Sequence, residues 1–418
     1  MFKKRYVAAA ACALAMVGTA NAVYVNPQGL GDFLIGPGYF IGGGLNTDLK
    51  VINTSNTESV VAKVVFRHPV TSQEILDFMI YLSPSDVWTG NVSCLQADAA
   101  GNCEISRVFS TDDSIQLPMQ EGFASADRPF IYDVNVADFQ QTKRLPLPNQ
   151  GYFEVEMSRA LSVANRATGI AEPGVSKVDI YNAHRRSPAQ VGVDETPDTL
   201  LGMVTVNAGA NRASLPMLAL AGYDNAIRLN TNDESGLGRI GGAHTPIADV
   251  EEALWTNNFA VPYTVAQGQS SLLTFTFPTK LTFLNWNWAL GAFQPSPVDP
   301  LGRQYGLKFV TQPQVCLTAP EVFNNSENVI RPNISPRGSS CVNEFDIRSF
   351  GAGVGFNINT HEFTEGWVRL GFEQPLFAAA QVAKPADTKH AGKAGVPAIV
   401  TYMEIGANGI RWSYAPSN

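Results

Sequence analysis

The sequence predicts an all-β protein: an antiparallel β-sandwich, immunoglobulin-like or jelly-roll in type, in two lobes with one or two short helices. Three observations predict it. From Val51 to Asn91 apolar side chains recur at every second position in two successive runs, the period of a strand with one face in a core. A second such region spans Ser271 to Trp288 (SLLTFTFPTKLTFLNWNW). The 36 glycines and 26 prolines are spread along the chain, which suits many short strands separated by turns.

Each element follows in order. Val23 to Gly44 is glycine-rich; no G-x-x-x-x-G-K-[ST] is present, so it reads as an irregular strand and not a phosphate loop. In the first strong run Val60, Ala62, Val64 and Phe66 share one face, with Val61, Lys63, Val65 and Arg67 opposite. In the second, Leu76, Phe78, Ile80 and Leu82 oppose Ile75, Asp77, Met79 and Tyr81, so the ionised groups fall on the face away from the core. His68 to Glu74 joins the two as a loose hairpin, and Pro84, which cannot donate to a ladder, ends the second. Val87 and Trp88 begin a further strand, Glu104 to Phe109 another. Val136 to Gln141 and Arg159 to Thr168 read as short helical pieces, Tyr152 to Val155 and Leu200 to Gly209 as strands, and Val178 to Tyr181 as a short strand in a turn-rich stretch. Pro246 to Asn257 is the clearest helix, with Thr245 as N-cap and Ile247, Val250 and Leu254 at helical spacing. Later strands are expected at Leu307 to Thr311, Phe345 to Phe350, Trp367 to Phe372, Ala398 to Ile405 and Ile410 to Tyr414, the last two joined by the hairpin turn Gly406-Ala407-Asn408-Gly409. The composition dip between Gly169 and Pro197 divides residues 23–170, an N-terminal sandwich lobe, from residues 198–418, a C-terminal β-rich lobe, the alternative being that the two lobes share one sheet system.

Residues 1–22 read as a signal peptide: basic Lys3, Lys4 and Arg5, an apolar run from Val7 to Val17 too short to span a membrane, and an A-x-A site at Ala20-Asn21-Ala22. The expected location is therefore extracellular or cell-surface, with the periplasm as the alternative. Cleavage removes three positive charges from a formal charge of −8, leaving −11, which argues against nucleic acid and anionic membrane as partners. Four cysteines remain, an even number in an exported chain. Local pairing is expected, Cys94 with Cys103 and Cys316 with Cys341, each closing a loop that contributes roughly 2.5–3.5 kcal/mol. A metal site is the weaker reading, since neither pair has C-x-x-C spacing.

No catalytic, cofactor or metal motif emerges. Gly268-Gln269-Ser270-Ser271 lacks the closing glycine of a nucleophile elbow. Gly351 to Gly355 opens no helix, and Asn230 to Gly238 departs from a calcium loop because Ser235 intervenes before the glycine. Asp112 and Asp113 are adjacent, not alternate, and read as a solvated turn with a surface cation as the alternative. The histidines at 68, 184, 244, 361 and 390 are scattered, each on an expected loop. The one functional hint is aromatic. Trp286 and Trp288 share a strand face and can contact a glycan or a protein partner if exposed, or fill a core if not.

The segments VINTSNTESVVAKVVFR, LDFMIYLSPSDVWTG, STDDS, FTFPTK and GWVRL, in that order, resemble a family of uncharacterised secreted and cell-surface bacterial proteins. The resemblance implies an exported all-β protein and transfers no catalytic residue. The expectation is a structural or adhesive surface protein, not an enzyme, whose partners are other surface proteins or copies of itself. The alternative is a glycan- or ligand-binding module, and a secreted hydrolase stands third.

Overall fold

The computed structural model describes residues 23–67, 74–117, 122–135, 147–162, 177–186, 198–223, 247–254, 258–265, 270–278, 286–287, 292–293, 317–331, 344–346, 363, 365–372, 398–406 and 409–416. The first part forms β1 (Tyr24–Val25), β2 (Leu30–Gly31), β3 (Phe33–Phe40), β4 (Leu45–Asn53), β5 (Glu58–Arg67), β6 (Glu74–Leu82), β7 (Val87–Ala97), β8 (Cys103–Ser110), β9 (Phe130–Asn135) and β10 (Gln150–Ser162). Helix α1 (Lys177–Arg186), strands β11 (Leu200–Ala208), β12 (Asn211–Pro216) and β13 (Leu218–Ala221), and helix α2 (Ile247–Ala253) follow. The rest comprises β14 (Asn258–Thr264), β15 (Ser270–Thr276), β16 (Trp286–Asn287), β17 (Ala292–Phe293), β18 (Leu317–Asn324), β19 (Val329–Ile330), β20 (Glu344–Asp346), β21 (Glu365–Phe372), β22 (Ile399–Gly406) and β23 (Gly409–Tyr414). Every pairing among the described strands is antiparallel, and the chain is an all-β sandwich protein with little helix.

The first sandwich has two sheets. One runs β1-β13-β3-β10-β5-β6; the other runs β12-β11-β4-β7-β8-β9, with β2 beside β11. The alternation of β5 and β6 lands as their sequences require: Val60, Val64, Phe66, Phe78, Ile80 and Leu82 face inward and meet Leu49, Val51, Trp88, Val92, Val204 and Val206 from the second sheet. Phe78 packs on Trp88 and Phe130 at centroid distances of 5.6 and 5.0 Å. Ile75 joins this core too, because the ladder slips between Phe66 and Arg67 and resets its side-chain parity. The glycine-rich start is not a loose edge: β3 lies inside its sheet between β13 and β10, buried throughout. Its Pro37 is tolerated because the β3–β10 ladder breaks register between Gly151 and Phe153, so no donor is missed there.

The opposite face of the first sheet is not solvated as its charges suggest. Ile180 of α1 packs on Val61, Met79 and Tyr81, and Val250 of α2 and Leu254 just after it pack with Phe33, Ile35, Tyr152 and Leu220. The same face holds fully buried Lys63, 2.5 Å from Asp77, and buried Arg67, 2.9 Å from Glu154. Pairing is what makes such burial tolerable. Asp77 is nonetheless pushed up to about 6 by burial and by Glu74, against the pull of Lys63. Burial raises Glu154 to about 7 in spite of Arg67. His184, expected on a loop, is buried on α1 and its pKa falls to about 4 by desolvation. This sheet is therefore buried on both sides.

A third sheet, β14-β21-β18-β19, and a fourth, β20-β15-β22-β23, enclose a second core of Phe259, Val261, Leu273, Phe275, Val368, Leu370 and Val400. The fourth sheet also reaches the first core: Trp412 meets Phe40 edge-on at 5.7 Å, and Thr276 Oγ1 donates to the Pro37 carbonyl at 2.7 Å.

Several expectations are corrected. Leu200 to Ala221 does not open the C-terminal lobe; β11, β12 and β13 complete both sheets of the first sandwich, so the dip at 169–197 is no lobe boundary. That dip carries α1, where a short strand was expected: with Ile180, Tyr181 and His184 packed at helical spacing on the sheet, tertiary contact overrides the β-branched Val178 and Ile180. Residues 159–162 continue strand β10 past a register shift after Met157, where a helix was expected, because β5 offers them ladder partners as far as Glu58. The expected elements at Val136 to Gln141 and Leu307 to Thr311 and residues 1–22 lie outside the described residues.

Two outcomes test this layering. Asp77→Ala, which removes the carboxylate beside buried Lys63, is expected to cost on the order of 3–5 kcal/mol in chemical denaturation. The second is a pH dependence. Below pH 6.5 an unfolded chain protonates His184 and the folded chain resists until about 4, so this group withdraws stability as pH falls through that window. Asp77 and Glu154 act oppositely, favouring folding at acid pH and losing that contribution as pH rises through about 6 and 7. Relative to the wild type, His184→Leu should gain about 2 kcal/mol between pH 7 and pH 4.5.

Candidate functional site

With its inner face in the core, the second sheet turns the alternate residues of each strand outward, and here no described helix covers them. We refer to it as the open sheet. Its ladders align side chains from distant parts of the sequence into rows. One row reads Ser214, Thr205, Asp48, Asn91, Phe109, Ile131, crossing β12, β11, β4, β7, β8 and β9 in turn. A neighbouring row places Met203 beside Lys50 and Lys50 beside Thr89. On the other side Arg212 pairs with Asn207, and Asn207 with Asn46.

These polar groups are locked to one another. The Asp48 carboxylate accepts from Asn91 Nδ2 at 2.7 Å and from Asn207 Nδ2 at 2.8 Å. Asn207 Nδ2 also reaches Asn46 Oδ1 at 2.9 Å, and the Thr205 and Ser214 hydroxyls lie 2.8 Å apart. Hydrogen bonds to a charged acceptor are the stronger kind, so the array holds its geometry before any ligand arrives. The face holds a groove of about 520 Å³, lined among others by Asp48, Lys50, Thr89, Asn91, Phe109 and Arg212. One end is polar; the other, at Phe109 and half-exposed Ile131 (48%), is apolar.

At the rim lies the acidic turn. Its cation is a side chain: the Lys177 ammonium of α1 sits 3.0 Å from Asp86, 4.0 Å from Asp112 and against Asp113, and donates to Ser114 Oγ at 3.0 Å. Asp112 also accepts from the Thr89 amide at 3.1 Å. Among the described residues no three His, Cys, Asp or Glu side chains converge as a metal site.

The Cys94–Cys103 disulfide forms, with Cα atoms 5.6 Å apart, and staples the β7–β8 hairpin next to this face. Cys316 and Cys341 lie outside the described residues. Trp286 belongs to the short β16–β17 ladder; Trp288 lies outside the described residues, as do His68, His244, His361, His390, Asn230 to Gly238 and Gly351 to Gly355. Among the described residues, Phe323 and Trp367 of the third sheet stack at 4.1 Å with Arg369 beside both. Sequence reading missed Asp48, Asn91 and Asn207. Their signal was the alternation of Asn46, Asp48 and Lys50 with Leu49 and Val51, but the partner Asn207 lies 159 residues away from Asp48.

Lys177→Met should take the shared cation away from Asp86, Asp112 and Asp113 and loosen α1. The expected loss is about 1–3 kcal/mol, with faster hydrogen exchange confined to α1 and the 111–114 turn.

Set against protein-family models, curated proteins and solved structures, the chain matches none, so the character of this face is read from its own residues.

Proposed function

We propose that the protein is an exported, non-catalytic adhesive component of the bacterial surface, and that the open sheet makes its contact. One observation carries the reading: of the two large sheets, one is buried on both faces while the other presents an exposed, mutually hydrogen-bonded polar groove. Polar side chains tied into an ordered array lose little freedom on binding, which is the property a contact surface needs. Among the groups with displaced pKa values, Glu154 and His184 are buried and Asp77 is mostly covered, which supports a structural role for these three. The disulfide supports export, since such bonds persist in oxidising compartments. The resemblance to secreted surface proteins points the same way.

Beads coated with the chain lacking residues 1–22 should adhere to isolated bacterial envelopes. The double variant Asn91→Ala/Asn207→Ala should reduce retention about tenfold while the protein stays folded, because both side chains are half-buried on the outer face and take no part in the core. Retention unchanged in that variant would contradict the assignment to this face.

A further inference from the structure

Resting on that reading, we infer that the groove takes a polyhydroxylated chain bearing acidic groups, an acidic polysaccharide, laid across the strands from β12 to β8. Three features set this class. The Thr89, Thr205 and Ser214 hydroxyls and the Asn91 and Asn207 amides lie with the Asp48 carboxylate in adjacent rows, at the roughly 4.8 Å spacing of strands. A surface mixing donors and acceptors at short intervals matches sugar hydroxyls, each of which does both.

The second feature is charge. Lys50 and Arg212 line the groove on either side of the Asp48 row and are exposed, and no ion pair among the described residues includes either. Half-buried Arg107 on the same sheet does have a partner, holding Asp133 at 2.6 Å. In a chain of net charge −8, Lys50 and Arg212 have no carboxylate partner among the described residues and stand roughly 16 Å apart, two strand spacings across the sheet and four residues along it, one on each side of the polar row. Asp48, in the row between them, offsets one of the two charges but pairs with neither, because its oxygens accept from Asn91 and Asn207. Third, half-buried Phe109 ends the polar row and offers a ring to the apolar side of a sugar, with Ile131 beyond it. A pair of cations is too few for the phosphate contacts that nucleic acid binding requires.

Calorimetric titration tests this on the chain without residues 1–22, with an oligogalacturonate, a malto-oligosaccharide of equal length and sodium sulfate as probes. The oligogalacturonate should bind, more weakly as salt rises. Lys50→Gln and Arg212→Gln should each weaken it about fivefold, and Leu95→Ala, exposed and outside the groove, should leave it unchanged. Three results overturn the inference. Equal binding of the neutral oligosaccharide, insensitive to Lys50→Gln and Arg212→Gln but lost in Asn91→Ala/Asn207→Ala, removes the acidic class and leaves the contact face standing. Sulfate binding as tightly as the oligogalacturonate reduces the groove to an anion site. No saccharide binding, with envelope adhesion still lost in Asn91→Ala/Asn207→Ala, removes the glycan while the contact face survives.

Discussion

The structure depends on the burial of one sheet on both of its faces. Strands β3, β10, β5 and β6 put Phe153, Val155, Val64, Phe66 and Phe78 into the sandwich core and Phe33, Ile35, Val61, Met79 and Tyr81 under the helices. A sheet in that position has no solvent to screen its ionisable groups. Lys63, Arg67, Glu154 and Glu156 are all essentially inaccessible, and the fold retains them by pairing Lys63 with Asp77 and Arg67 with Glu154. Such pairs add little net stability, but losing one partner is costly, so they constrain which residues those strands can carry.

Double burial of one sheet frees the other. The open sheet needs only its inner residues for stability, and its outer positions can carry a function without disturbing the core. Central strands such as β4 and β7 have neighbours on both sides, so their outward side chains stand at spacings set by the ladder. The Cys94–Cys103 bond, the Asp112–Thr89 contact and the Lys177 latch hold the rim of the same sheet. Ligand-facing groups are thereby mounted on rigid elements, and their hydrogen bonds to one another keep them ordered.

Much of the fold was legible in the sequence, and for a physical reason. Period-two alternation in β5, β6, β11 and β15 is a local signal, as are the Pro84 break and the Ile247, Val250, Leu254 spacing that marks α2. Non-local information was not legible. The placement of β11 to β13 depends on pairing with β4 and β3, far away in the chain. The conversion of Lys63, Asp77 and Arg67 from an apparent surface to an interior depends on what covers them. The groove was hidden for the same reason: Asp48, Asn91, Asn207 and Arg212 become neighbours only through sheet register, and none carries a motif of its own. Trp286 drew attention as an aromatic on a strand, whereas the hydrogen-bonded array is built from asparagine, aspartate and threonine.

The contrast between the two sheets is open to direct measurement through their methionines. Met79 and Met157 belong to the doubly buried sheet and are 5% and 0% exposed; Met203 stands on the open face at 39%. Hydroxyl-radical footprinting with mass spectrometry should oxidise Met203 well ahead of the other two in the native protein and all three alike after denaturation. Native oxidation of Met79 or Met157 at the rate of Met203 would contradict the account.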